Sequence, residues 1–71
     1  MTEHVVIQQT GAVQVVRLNR PERKNALTHA MYTALADAIS NAEQDSSIRC
    51  TLITGTSECF TAGNDLTDFM A

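Results

Sequence analysis

Apolar and polar positions along this chain change their period twice. In HVVIQQTGAVQVVRLNR, Val5 and Ile7 alternate with Val6 and Gln8, and Thr10-Gly11 supplies a turn. A second, largely β-branched run from Val13 and Val15 to the Leu18 region follows, so the segment predicts a β-hairpin. NRPERKN ends the second strand, because Pro21 has no N–H for a central ladder and polar residues surround it. The period then becomes helical. Met31, Leu35, Ala38, Ile39 and Ala42 stand at i, i+4, i+7, i+8 and i+11, one face of a helix. Thr28 is its N-cap and Asp45-Ser46-Ser47 its end. IRCTLITG reads as a short buried strand closed by Gly55. The predicted order is β-β-α-β, a loop, and the start of a second helix. Strand, helix and strand in that order predict a right-handed crossover and a parallel pairing. A ligand would then bind beyond the carboxyl end of the last strand, where TSECFTAGND lies.

Length and charge narrow the picture. Seventy-one residues make at most one small domain, 1–71, with a marginal core. Domains of this size lean on a disulfide, a metal or a partner chain. Cys50 and Cys59 are nine residues apart, with no CxxC and no neighbouring His. They read as reduced cysteines in a reducing compartment, and no metal site is expected. A net charge of −3 and only three aromatic residues argue against a nucleic-acid partner. MTEHVVIQQ lacks the basic start and apolar run of a signal peptide, and no window approaches a membrane span. A cytoplasmic protein is expected. Four of the five basic residues, Arg17, Arg20, Arg23 and Lys24, crowd between positions 17 and 24. The cluster is either a solvated turn or an anion site for phosphates.

The segment ECFTAGNDLTDFM carries the candidate chemistry. A strand leading through a glycine loop into a helix leaves backbone N–H groups unpaired at the helix start, where they favour negative charge. Gly63 lets the backbone turn and lets a ligand approach without meeting a Cβ. Asn64 stands at the helix entrance, and Asp65 can cap the first turn. A rigid N–H aimed at a carbonyl oxygen is half of an oxyanion hole, whose loss costs ~3 kcal/mol. The alternative is a plain loop-to-helix connection, with Gly for geometry and Asp for capping. A P-loop is excluded, since Gly55 and Gly63 have the wrong spacing and no Gly-Lys-Ser/Thr follows.

Two motifs carry a resemblance. Asn19-Arg20-Pro21 is followed by Asn25-Ala26-Leu27, and Phe60-Thr61-Ala62-Gly63-Asn64-Asp65-Leu66 comes one helix and one strand later. Together they resemble the N-terminal part of the enoyl-CoA hydratase/isomerase superfamily, the crotonases, over essentially the whole chain. The resemblance implies the β-β-α-β portion of an α/β, crotonase-like (ClpP/crotonase) spiral fold, cut before its core is complete. It implies that Arg23, Lys24, Asn25, Ala26 and Leu27 line a coenzyme A site, partly through backbone atoms. Ala62, Gly63, Asn64, Asp65 and Leu66 would cradle the pantetheine arm and thioester, and the Asn64 N–H would be one oxyanion donor. Coenzyme A enters as part of the acyl-CoA substrate, so no separate cofactor is expected. The implied reaction is hydration of a 2-enoyl-CoA (a lyase) or double-bond isomerisation, in fatty acid metabolism. A homo-oligomer, trimer or hexamer, is implied as well. The family's second oxyanion donor and its acid/base carboxylates lie beyond these positions. Asp65 is better used as a cap, Asp68 falls a turn into the helix, and Glu58, His4 and His29 are unsuited as catalysts. The alternative function is therefore a catalytically inactive fragment, a small CoA-binding or self-associating module, with no turnover expected of the 71 residues.

Overall fold

Val5–Thr10 (β1) and Val13–Leu18 (β2) form the expected antiparallel hairpin, with Val5 opposite Leu18 and Thr10 opposite Val13. Gly11 closes it at φ 60°, a left-handed conformation that an L side chain resists. The computed structural model describes residues 4–70; the expectation about the first residues of the chain therefore lies partly outside what is described. A 3-10 turn, Pro21–Arg23, leads to the helix His29–Gln44 (α1), then to the strand Cys50–Thr54 (β3) and the short helix Leu66–Met70 (α2). β3 pairs in parallel with β2, Val13 opposite Cys50 and Arg17 opposite Thr54, so the sheet order is β1-β2-β3.

The register sets the two faces. Opposed residues share a face and successive ones alternate. Gln14, Val16 and Leu18 therefore look one way with Ile7 and Ile53, and Val13, Val15 and Leu52 look the other. Gln14, Val16 and Leu18 are buried, together with Met31 and Ala38 of α1. The buried face of β2 thus starts with a polar residue. Its amide is satisfied, donating to the Ala38 carbonyl at 3.1 Å and to Thr51 Oγ1 at 3.4 Å. Removing Leu18 or Met31 from water contributes roughly 1.5–3 kcal/mol each.

α1 begins as its sequence predicts. Thr28 Oγ1 accepts from the Met31 N–H at 3.2 Å. Two expectations need correction. Ile39, placed on the core face by spacing, is 44% exposed. At 100° per residue it sits near the edge of the stripe centred on Met31 and Ala38. β3 is not a buried strand: Leu52 and Ile53 are 50% and 38% exposed. The strand pairs with β2 alone and α1 packs chiefly on β1 and β2, so both faces of β3 keep much of their exposure.

Met31→Ala should cost about 2–5 kcal/mol, while Ile39→Ala should cost no more than roughly 0.5 kcal/mol. Urea unfolding midpoints measure both; equal losses would contradict this placement of the core.

Candidate functional site

Leaving β2, the chain turns at Pro21, whose ring presets the φ of a helical first turn and whose missing N–H costs nothing there. Lys24 and Asn25 then both adopt positive φ, 52° and 58°. Asn tolerates this region better than most residues, and here its side chain explains why the backbone is held there. Asn25 is 0% exposed. Its Oδ1 accepts from the Arg20 N–H at 2.7 Å. Its Nδ2 donates to the carbonyls of Cys59 and Phe60 at 3.0 and 3.1 Å. Its own N–H donates to the Arg20 carbonyl, and its carbonyl accepts from Thr61 Oγ1 at 2.7 Å. One buried amide thus ties the turn after β2 to the loop after β3.

Backbone bonds continue the seam. Ala62 N–H donates to the Lys24 carbonyl, Leu27 N–H to the Gly63 carbonyl and Asp65 N–H to the Leu27 carbonyl, at 3.0, 2.8 and 2.8 Å. Leu27 and Asn64 form a one-residue parallel bridge. A trans peptide is planar with its C=O and N–H opposed. Because the Gly63 carbonyl faces Leu27, the Asn64 N–H of the same peptide points away from it. Among the described residues none accepts from that N–H. Gly63 has φ 97°, and a Cβ built on it meets nothing within 4 Å. Gly55 is the opposite case: a Cβ there would stand 2.4 Å from the Cys59 carbonyl oxygen and 2.5 Å from Phe60 Cα.

Asp65 does cap α2, its Oδ1 accepting from the Asp68 N–H at 3.0 Å. Its other oxygen accepts from Arg20 Nη1 at 2.7 Å, and the same guanidinium donates to the Ala26 carbonyl at 3.0 Å. Both side chains are largely buried. The Arg20 hydrogen bond first, then the Asp68 N–H, hold the Asp65 carboxyl below the usual carboxylate range. Arg20 is therefore committed inside the protein, while Arg17, Arg23 and Lys24 are exposed. On the other flank, Tyr32 Oη donates to Asn64 Oδ1 at 2.6 Å, and the His29 N–H donates to Asp68 Oδ2 at 2.7 Å.

Lys24, Asn25, Ala26 and Leu27 are thus brought against Ala62, Gly63, Asn64 and Asp65. Arg23 stands beside them on the 3-10 turn, and Leu66 opens α2 with 70% of its surface exposed. The polar groups of Asn25 are all engaged within the protein, so it positions the seam. Sequence reasoning named Arg20 only in the basic cluster and the Asn-Arg-Pro motif, Gly55 only as the end of a strand and Thr61 only inside the second motif, and gave none of them, nor Tyr32, its place in the seam. A pocket lined by Pro21, Lys24, Thr56, Glu58 and Cys59 adjoins the seam. Cys50 and Cys59 are free thiols. Among the described residues no group of three or more His, Cys, Asp or Glu could hold a metal ion. No described helix is long and apolar enough to cross a membrane.

A β-β-α-β unit with such a seam defines a class. A family model for enoyl-CoA hydratase/isomerase matches residues 8–71. The chain belongs to this family, the crotonases. It is 40% identical over 68 residues to 1,2-epoxyphenylacetyl-CoA isomerase of Escherichia coli K12, covering 96% of this chain and 26% of that one. It is 36% identical over 67 residues to human enoyl-CoA delta isomerase 2, covering 94% and 17%. The fold matches a putative enoyl-CoA hydratase/carnithine racemase from Magnetospirillum magneticum AMB-1 with TM-score 0.93 and 49% identity, over 100% of this chain and 28% of that one. OdaA of Pseudomonas aeruginosa matches with TM-score 0.93 and 42% identity, over 97% and 28%. The chain spans from about a sixth to just over a quarter of the length of these relatives.

Asn25→Asp should destabilise the protein by at least about 2 kcal/mol, because a carboxylate cannot donate to the Cys59 and Phe60 carbonyls; thermal unfolding measures it, and a wild-type midpoint would refute the seam. The lowered Asp65 value means its contribution is complete above the usual carboxylate range and lost as pH falls through the folded value. The stability difference between the wild type and Asp65→Asn should therefore shrink on acidification below that range, as thermal melts at descending pH would reveal. A constant difference would contradict the pairing.

Proposed function

We propose that the seam is the thioester end of an acyl-CoA site. Residues 62–66 cradle the acyl thioester, and residues 23–27 line the coenzyme A portion. The Asn64 N–H, turned away from Leu27 and unclaimed by any described residue, is the observation that carries this reading. When a base removes a proton from the carbon next to the thioester, the electron pair moves onto the carbonyl oxygen as an enolate. A fixed N–H at that oxygen favours the charged state over the neutral one, and such a donor is worth ~3 kcal/mol of barrier. The enolate can regain a proton at a different carbon, which isomerises a double bond, or arise by addition of water to a 2-enoyl thioester.

Other features support the same reading. Gly63 leaves open space where a Cβ would stand, so a thioester can approach the backbone. Arg23 and Lys24 are exposed beside the seam, placed for phosphate oxygens, and Lys24 also lines the adjoining pocket. The E. coli relative is an isomerase of a CoA thioester by name. The protein works as a homo-oligomer in this reading, as the resemblance implies. A second reading, binding without turnover, is favoured by the nearby acids. Asp65 is held by Arg20 and caps α2, and Asp68 lies 2.8 Å from the His29 ring, so both are engaged within the protein. Loss of the conjugated absorbance of crotonyl-CoA on mixing with the protein separates the two.

Gly63→Val should weaken binding of crotonyl-CoA by more than about tenfold, or 1.4 kcal/mol, in titration calorimetry, with the circular dichroism spectrum unchanged. Undiminished binding would sink the site.

A further inference from the structure

The peptide between Gly63 and Asn64 is anchored on one side by a single described hydrogen bond, from Leu27 to the Gly63 carbonyl. Gly63, at φ 97°, is the most permissive joint in the loop. α2 has five residues, too few to be a stable helix by itself, so its orientation is imposed from outside. α1 supplies that constraint through His29 and Tyr32, three residues apart and hence neighbours on the helix surface. The His29 ring stacks on Phe69 with centroids 4.2 Å apart, and its Nδ1 lies 2.8 Å from Asp68 Oδ2. Tyr32 meets Phe69 edge-on at 5.9 Å, and its hydroxyl donates to Asn64 Oδ1 at 2.6 Å.

We propose that Tyr32 is a positioning residue for the Asn64 peptide. Its hydroxyl pins the Asn64 side chain while Leu27 holds the backbone on either side of it, so that the N–H keeps one direction as charge grows on a ligand oxygen. The inference rests on the acyl-CoA reading above for its consequence, but the pinning itself is a property of the free protein. The ring of Tyr32 packs on Phe69 with or without its hydroxyl, so Tyr32→Phe removes the hydrogen bond and leaves the packing.

The test is the absorbance of 2,4-hexadienoyl-CoA on binding, because its red shift reports polarisation of the thioester separately from affinity. Tyr32→Phe should leave Kd within about threefold of wild type while reducing the red shift by half or more. Thr33→Val, which removes a hydroxyl bonded only within α1, should change neither. A full red shift in Tyr32→Phe would overturn the proposal. Should the wild type fail to bind the thioester, the acyl-CoA reading falls, and amide hydrogen exchange in the free protein decides this one. Several-fold faster exchange at Asp65 in Tyr32→Phe, absent when the same change is made in an Asn64→Ala background, supports the pinning. Wild-type exchange rates overturn it.

Discussion

The side-chain amide of Asn25 is the contact on which the rest of the site depends. It joins residues 34 and 35 positions apart in the chain, and it does so with no exposure to solvent. A buried carbonyl without a donor costs about 1–3 kcal/mol; the Phe60 carbonyl has its donor in Asn25, while the Cys59 carbonyl accepts from the Thr56 N–H and Oγ1 as well. A carboxylate offers no donor, and an aliphatic side chain offers neither role. The positive φ at Lys24 and Asn25 follows from the same requirement. The backbone accepts a conformation of small cost because the amide it delivers satisfies three partners at once.

Charge in the seam is arranged on a second level. Arg20 and Asp65 lie in different motifs, 45 positions apart, and meet at 2.7 Å with most of both side chains buried. Such a pair is a poor source of net stability, since removing charge from water offsets most of the attraction. Its value is geometric. The guanidinium also holds the Ala26 carbonyl, and the carboxylate also caps α2, so the pair fixes the start of α2 against the turn after β2. The basic cluster is therefore divided by position: Arg20 faces inward to Asp65, while Arg17, Arg23 and Lys24 remain exposed.

Much of this was legible in the residues. The parallel third strand follows from the rule for strand-helix-strand crossovers, and the hairpin, the Thr28 cap and the helix from local periods and capping chemistry, which act over a few residues. Asp65 as a cap was legible for the same reason. Ile39 and the two faces of β3 were not, because spacing gives a direction around an axis and cannot say which elements will stand there. Gln14 reads as a polar interruption of a strand until Ala38 and Thr51 arrive to satisfy it. Gly55 looks like a strand terminator, yet the structure requires it because Cys59 and Phe60 lie against its Cα. Tyr32 and Asn64 are 32 positions apart and belong to no common pattern, so their bond could not be read from either segment.

What the seam leaves unspent is as informative as what it uses. The carbonyls from Lys24 to Leu27 each accept a hydrogen bond, and Ala62, Gly63 and Asp65 each donate one. Buried backbone groups are nearly always paired, so an orderly run of pairs is unremarkable by itself. Asn64 is exposed, so its open N–H breaks no such rule and stays available in the free protein. The Asn64 N–H is flanked by donors that are all committed, on a peptide whose carbonyl is held, next to a glycine that leaves room above it. Gly63 is needed for its φ of 97° whether the loop merely connects β3 to α2 or also meets a ligand. The acyl-CoA reading is what gives the Asn64 N–H a carbonyl oxygen to meet.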